Sequence, residues 1–298
     1  MRIGFIGCVE SSHRVLESLL RVDEKDIEVV AVITKAESSV NSDFVNLAPL
    51  CEKYNIPYHY EINSNRAAST AFLKQHKVDI IYCIGWSYLL GEELLNLAPL
   101  GSIGFHPAPL PMGRGRHPLI WSLVLGLEET AVSFFRMDAG ADSGPIVSQT
   151  LLPISHQDSA STLYEKVLAI AEQEIVKISF DIAKGKANFN IQDQSKATYW
   201  RKRSRKDGII DFRMGALDIY NLIRALTKPY PGAEFYFEGV PVSVWSAALS
   251  ESDYSTFIEP GRILEIKNTD VLVKCSGGDA IWLHNIEIAS RLKVGDFL

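Results

Sequence analysis

The chain has 298 residues, 47% of them apolar and 22% charged, and a net charge of −6. That composition excludes a disordered or fibrous protein, and no run approaches the ~20 apolar residues that a membrane helix needs. The acidic balance offers no electrostatic footprint for a polyanion, so neither membrane nor nucleic acid is an expected partner.

In chain order, Ile3–Gly7 reads as a buried strand entered at once, with no signal-peptide layout. A helix is predicted near His13–Arg21, with Val15, Leu16, Leu19 and Leu20 on one face. Only Gly4 and Gly7 are available for a dinucleotide fingerprint that needs three glycines. Gly7 is therefore read as a tight strand-to-helix turn, and an NAD-linked oxidoreductase is a remote alternative. Ile27–Thr34 is a second β-branched strand, Phe44–Tyr54 a second helix, Asp79–Ile84 a third strand and Gly101–Phe105 a fourth, ending at His106. Continuous β-branched strands separated by helices predict an α/β fold, a Rossmann-like doubly wound and mostly parallel sheet. Such sheets bind ligands at the C-terminal ends of their strands, which is where His106 falls.

Val132–Met137 is strand-like, and Asp158–Lys184 reads as a long helix capped by Asp158 or Ser159 and stopped at Gly185. The polar stretch Asn188–Lys196 reads as a linker. Beyond it one helix, Ala216–Leu226, precedes the turn Pro229–Gly232. The short strands Ile263–Ile266, Val271–Cys275 and Ala280–His284 then indicate a small β-rich domain. The boundary is placed near residue 195, giving domains 1–195 and 196–298. Cys8, Cys51, Cys83 and Cys275 lie far apart without zinc spacing, so they are expected to be reduced core thiols of a cytoplasmic protein, and no metal is expected.

The chemistry concentrates in residues 101–149. His106 is followed by Pro107, Pro109 and Pro111, a stiff loop that would hold an imidazole in place for acid–base work. Asp142, in Ala141-Asp142-Ser143-Gly144, lies at another expected strand end, and a carboxylate beside an imidazole fixes its tautomer. Spacing alone does not bring the two together.

These residues carry a resemblance. Gly104-Phe105-His106, Leu110-Pro111 and Asp142-Ser143-Gly144 resemble the motifs of the folate-dependent formyltransferases, the family that includes methionyl-tRNA formyltransferase. Lys206–Phe212 and Leu222–Gly239 resemble the start of that family's OB-like C-terminal domain. The resemblance implies transfer of a formyl group from 10-formyltetrahydrofolate, the cosubstrate, to an amine. It implies His106 and Asp142 as the catalytic pair: His106 stabilises or protonates the developing oxyanion, and Asp142 orients His106 and assists removal of the amine proton. It also implies a folate site on Trp86, Ser87, Tyr88, Leu89 and Leu90, on Ala108, Pro109, Leu110 and Pro111, and on Asp138, and it suggests a homodimer.

One departure stands out. The family's usual Asn, two residues before the histidine, is Gly104 here. Glycine is read as opening space for a replacement oxyanion donor, with Ser102, His117 or a water as candidates. Loss of such a donor costs about 3 kcal/mol in transition-state stabilisation.

For the acceptor, Met112–His117 offers Arg114 and Arg116 among glycines, and Arg201–Lys206 is a basic run preceded by Tyr199 and Trp200. Arg114, Arg116, Arg201 and Arg203 suit a compact diphosphate better than a long polyanion, with Tyr199 and Trp200 as covers for a base or sugar. Residues 103–118 also resemble N-formyltransferases of nucleotide-linked amino sugars of the pseudaminic-acid type. The expected substrate is a UDP-linked 4-amino-4,6-dideoxy sugar. The alternatives are a methionyl-tRNA formyltransferase and, in another class, a non-catalytic folate-binding module.

Overall fold

The β-branched runs become strands because continuous apolar side chains are stable only when both faces of a sheet are covered. The computed structural model describes residues 1–38, 41–62 and 66–298, and the chain divides into two units. The first comprises Met1–Pro118, Thr130–Leu152 and Glu165–Trp200.

Its elements are β1 (Arg2–Ile6), α1 (Glu10–Leu20), β2 (Glu28–Thr34), α2 (Ala48–Lys53), β3 (Tyr58–Tyr60), α3 (Arg66–Gln75), β4 (Ile80–Cys83), α4 (Glu92–Leu95) and β5 (Ser102–His106). The two-residue strand β6 (Arg114–Gly115) follows, then the helix α5 (Pro118–Val124), which belongs to the second unit apart from Pro118, then β7 (Glu129–Arg136), β8 (Ile146–Pro153) and the long α6 (Ala160–Ala183), whose first turn also counts with the second unit. The sheet runs β3-β2-β1-β4-β5-β7-β8. Its pairs from β3 to β5 are parallel, whereas β7 joins β5 antiparallel. The doubly wound, mostly parallel expectation therefore holds, with an antiparallel addition beside His106.

Both faces are covered. On one, Ile6, Ile33, Ile81 and Cys83 pack with Leu73, Leu90 and Leu94. On the other, the Tyr82 hydroxyl and Ser179 Oγ of α6 share a buried hydrogen bond of 2.8 Å. Arg14 of α1 pairs with Glu165 and Glu172 of α6 on the same side. Along α6, Leu163, Val167, Leu168, Ala171, Ile175 and Ile178 recur at helical spacing and are buried, which is why so long a helix is stable. The turn at Gly7 is closed by Ser12: its Oγ accepts from the Cys8 and Val9 amides at 3.1 Å each and donates to Ile84 O at 2.6 Å. A Cβ at Gly7 would meet Ser12 at 2.5 Å. That close fit agrees with a packing turn.

The second unit comprises Leu119–Glu129, Pro153–Tyr164 and Arg201–Leu298. After β9 (Tyr199–Trp200, in the first unit) it contains α7 (Ala216–Leu226), the hairpin β10 (Ala233–Phe237) with β11 (Val240–Val244), and β12 (Ala247–Leu249), β13 (Ile263–Lys267), β14 (Asp270–Lys274) and β15 (Ala280–Leu283). The last four form an antiparallel sheet in the order β12-β15-β14-β13, separate from the hairpin. The stretch Asn188–Lys196 is not a bare linker. Asn190 bridges Ile146, Gln192 is buried, and β9 pairs with β6.

Candidate active site

His106 ends β5, the first strand with a parallel neighbour on one side and an antiparallel one on the other. Its ring is 5% exposed. Nε2 lies 2.8 Å from Gly113 O, and because a carbonyl only accepts, Nε2 carries the proton. Nδ1 lies 3.6 Å from Asp142 Oδ2, a charge contact longer than a hydrogen bond. That carboxylate oxygen instead accepts from the Gly115 amide at 2.8 Å. The structure thus brings His106 and Asp142 together, and each also grips the glycine-rich turn 113–115. Asp142 sits at φ 53°, a left-handed conformation that aspartate tolerates at a cost of ~1 kcal/mol. Strain of this kind concentrates at functional sites.

The loop after His106 is held by residues outside the motifs. Ser133 Oγ donates to Ala108 O at 2.6 Å, and Gln149 Nε2 donates to Leu110 O at 2.9 Å. Gln192 Nε2 donates to Asp142 O at 2.8 Å and to Gly144 O at 2.6 Å, fixing the aspartate loop. Sequence reading missed all three, since an isolated Ser or Gln in a strand or polar stretch carries no signal of its own.

Several expectations change. Gly104 does not open space: a Cβ there would meet Phe135 Cζ at 2.8 Å and Met137 Cγ at 3.0 Å, so the phenyl ring fills the volume. Ser102 is no oxyanion donor, because it lies four residues upstream on the same strand, ~13 Å from His106 at ~3.3 Å per residue. Among the described residues its buried Oγ has no hydrogen-bond partner. His117, at φ 57°, follows Arg116 on the turn beyond β6.

Arg114 is not a surface cation. It is fully buried, donates to Gln192 Oε1 at 2.7 and 3.1 Å, to Gln194 Oε1 at 2.9 Å and to the Tyr199 hydroxyl at 2.8 Å, and lies over the Tyr199 ring. Its donors are spent inside the fold. Trp200 is likewise packed on the turn: a Cβ at Gly113 would meet its ring at 2.6 Å, and one at Gly115 its carbonyl at 2.4 Å. Both glycines have positive φ, so the turn accommodates little else. In the second unit Arg201 pairs with Asp207 and lies over Trp121, and Arg203 is buried against the same indole. Neither presents a free guanidinium to a phosphate. Arg116 differs: it is half-buried, Nη1 donates to Ser87 O at 2.9 Å, and it forms no ion pair among the described residues.

Among the expected folate residues, Leu90, Ala108 and Leu110 are buried. Their places are in the core, and the Ala108 and Leu110 carbonyls are already bonded. Pro109 and Pro111 are half-buried beside them. Trp86 packs against the core cluster, whereas Leu89 is 61% exposed and Tyr88 is at the surface. An exposed leucine on the loop tied to Arg116 fits an aromatic ligand that would cover it. Asp138 caps its own turn, accepting from the Gly140 amide at 2.9 Å and Ser143 Oγ at 2.7 Å.

Burial pushes the Cys8 thiol up to about 11 and the Cys51 and Cys275 thiols up to about 12, so they are protonated core groups and not nucleophiles. No group of three or more His, Cys, Asp or Glu side chains among the described residues is arranged to hold a metal ion, and no described helix is long and apolar enough to cross a membrane.

Fold and site together define a class: an α/β sheet that presents an imidazole at the C-terminal end of β5 beside a carboxylate brought in by the loop between β7 and β8. Residues 1–178 match the formyl transferase family and residues 202–298 its C-terminal domain, and the chain belongs to that family. It is 32% identical over 304 residues to the bifunctional polymyxin resistance protein ArnA of Wigglesworthia glossinidia brevipalpis, covering 98% of this chain and 44% of that one. The chain thus spans less than half the length of that relative. Among solved structures it resembles WlaRD, a sugar 3N-formyl transferase crystallised with dTDP and 5-N-formyl-THF (TM-score 0.71, 17% identity, 95% of this chain and 97% of that one). It also resembles the N-formyltransferase of Helicobacter canadensis in complex with folinic acid and dTDP-3-aminofucose (TM-score 0.70, 18% identity, 94% and 98%). The methionyl-tRNA formyltransferase of Clostridium thermocellum is similar at TM-score 0.59 and 16% identity, over 92% and 97%. At these identities the structural likeness establishes the fold.

Proposed function

We propose that the protein moves a formyl group from 10-formyltetrahydrofolate to the amine of a nucleotide-linked amino sugar, a UDP-4-amino-4,6-dideoxy sugar of the pseudaminic-acid type, in the cytoplasm. The observation that carries the reaction is the contact of His106 with Asp142 on the turn 113–115. The folate supplies an activated formyl carbon, and Leu89, exposed on its loop, is the side chain we assign to covering the folate's ring system. The Nε2 proton of His106, now given to Gly113 O, is the one a developing oxyanion beside the ring would claim. Asp142 Oδ2 holds the turn through the Gly115 amide, and the carboxylate is available to receive the proton that the attacking amine sheds; as the tetrahedral intermediate collapses, the bond from the formyl carbon to N10 of the folate breaks and N10 takes up that proton, leaving tetrahydrofolate and the formamide. The amine attacks in its neutral form, so the rate rises with pH until the amine's own pKa is passed.

An RNA backbone needs a continuous cationic track. In the basic run of the second unit, Arg201 and Arg205 are spent on Asp207 and Glu234, and Arg203 is buried on Trp121. A compact acceptor fits this better than tRNA, and two structural neighbours were crystallised with dTDP or a dTDP-amino sugar. The test is parallel binding of UDP- and dTDP-linked amino sugars and of initiator tRNA across a salt series. Saturable nucleotide-sugar binding with weak tRNA retardation is expected. Tight tRNA binding with a steep salt slope would replace this acceptor with methionyl-tRNA.

A further inference from the structure

Lys35 directly follows β2, and its Nζ lies 4.2 Å from the centroid of the Tyr88 ring and 5.0 Å from that of Trp86. The two rings meet edge to face at 6.2 Å. On the intervening residue, Ser87 O accepts from Arg116. Two cations are therefore attached to three consecutive residues of one loop. Neither forms an ion pair with a carboxylate among the described residues, in a protein whose other arginines are largely so paired.

The sheet register relates this loop to the catalytic pair. Ile33, Ile6, Cys83 and Gly104 form one row across β2, β1, β4 and β5. Beyond that row β1 and β4 end, while Lys35 directly follows β2 and His106 closes β5, so both lie at the C-terminal edge of the parallel strands, where open α/β sheets bind their ligands. A lysine is ordinarily a flexible point charge, and an aromatic pair against its stem and head restrains it before any ligand arrives. Burial, and after it the charges of Asp43 and Glu61, push the Cys8 thiol up, while Lys35 acts in the opposite direction.

Resting on the nucleotide-sugar reading above, we propose that Lys35, caged by Trp86 and Tyr88, binds the diphosphate of the acceptor, with Arg116 on the other side of Ser87. The aromatic pair then serves the acceptor by holding Lys35, and Leu89 alone of this loop's exposed end is left to the folate.

The experiment is a calorimetric titration of UDP, dTDP and uridine into the wild type, Lys35→Met and Lys35→Arg, with tetrahydrofolate binding and formyl-transfer rates measured on the same samples. Methionine keeps an apolar stem against the rings, and unchanged folate binding reports an intact fold. Lys35→Met should weaken the diphosphates at least ~10-fold, the loss expected for one charge-assisted hydrogen bond, and leave uridine unchanged. Lys35→Arg should recover most of that loss, and the KM for the nucleotide-linked amine should rise with little change in kcat. If the wild type binds diphosphates and formylates a nucleotide-linked amine while Lys35→Met does both equally well, the role of Lys35 is refuted and the acceptor reading stands. If the wild type binds tetrahydrofolate but neither diphosphate, the acceptor reading falls and this site with it.

Discussion

Replacing Gly104 tests how the site works without the family's usual asparagine. Gly104 pairs directly with Phe135 across the β5–β7 ladder, and Phe135 is 3% exposed. A Cβ at position 104 would lie 2.8 Å from Phe135 Cζ, 3.1 Å from Cε1 and 3.0 Å from Met137 Cγ. All three contacts are with side chains, so the ring has to yield within a packed sheet face, and overpacking of this kind costs about 1–3 kcal/mol. Gly104→Ala adds the Cβ alone, and Gly104→Asn adds the Cβ and the amide, so comparing them separates volume from hydrogen-bonding capacity. Urea denaturation should show both variants less stable than the wild type, with Asn the more affected. Formyl-transfer assays at saturating folate should show kcat lowered in both, because a displaced Phe135 disturbs the strand that carries Ser133 and, through it, the loop after His106. An asparagine variant as stable as the wild type and faster in turnover would refute this account of the filled space.

His106→Ala and Asp142→Ala should each lower kcat at least ~100-fold with folate affinity largely kept, as measured by single-turnover kinetics and equilibrium binding. Arg114→Met should destabilise the first unit by about 3 kcal/mol in denaturant titration, since Gln192, Gln194 and Tyr199 lose their buried donor. A selective rise in KM for phosphorylated acceptors without loss of stability would restore Arg114 to the substrate site. Hydrogen bonds from Arg201 and then Ser204 hold the Asp207 carboxyl well below the usual carboxylate range. A depressed folded value means that this contribution to stability is complete above about pH 4 and is lost as the pH falls toward the folded value. Melting of the wild type from pH 5 down to pH 2 should show that loss, and Asp207→Asn should be less stable at pH 7 by about 1 kcal/mol, with a shallower acid dependence.

What the sequence made legible was set by how local each signal is. The runs IEVVAVIT and DIIYCI could only be buried strands, and the Ala216–Leu226 helix is found at the residues its periodicity indicates. The second helix is shorter than Phe44–Tyr54 because Phe44 is drawn into a bridge with Val9, and Pro49 lies in the first turn of the observed helix. Strand direction was not readable: the apolar run in β7 would look the same parallel or antiparallel. At the site, His106 and Asp142 were found through motifs whose residues meet only in three dimensions. Arg114 was misplaced because an arginine among glycines reads alike whether it turns outward or into the fold. Gln192, which ties Arg114 to the aspartate loop, lies in a stretch whose polarity resembles a linker. The opening expected at Gly104 failed for a related reason, since the volume left by a missing side chain is decided by the strand opposite.

The most direct test of the central claim is tetrahydrofolate release from 10-formyltetrahydrofolate, coupled to mass spectrometry of each acceptor in a panel of UDP- and dTDP-linked amino sugars and charged initiator tRNA. A nucleotide-linked amino sugar should gain one formyl group in proportion to the tetrahydrofolate released, and the Asp142→Ala variant should not support this. Formylated tRNA with untouched nucleotide sugars, or folate binding with no acceptor modified, would contradict it.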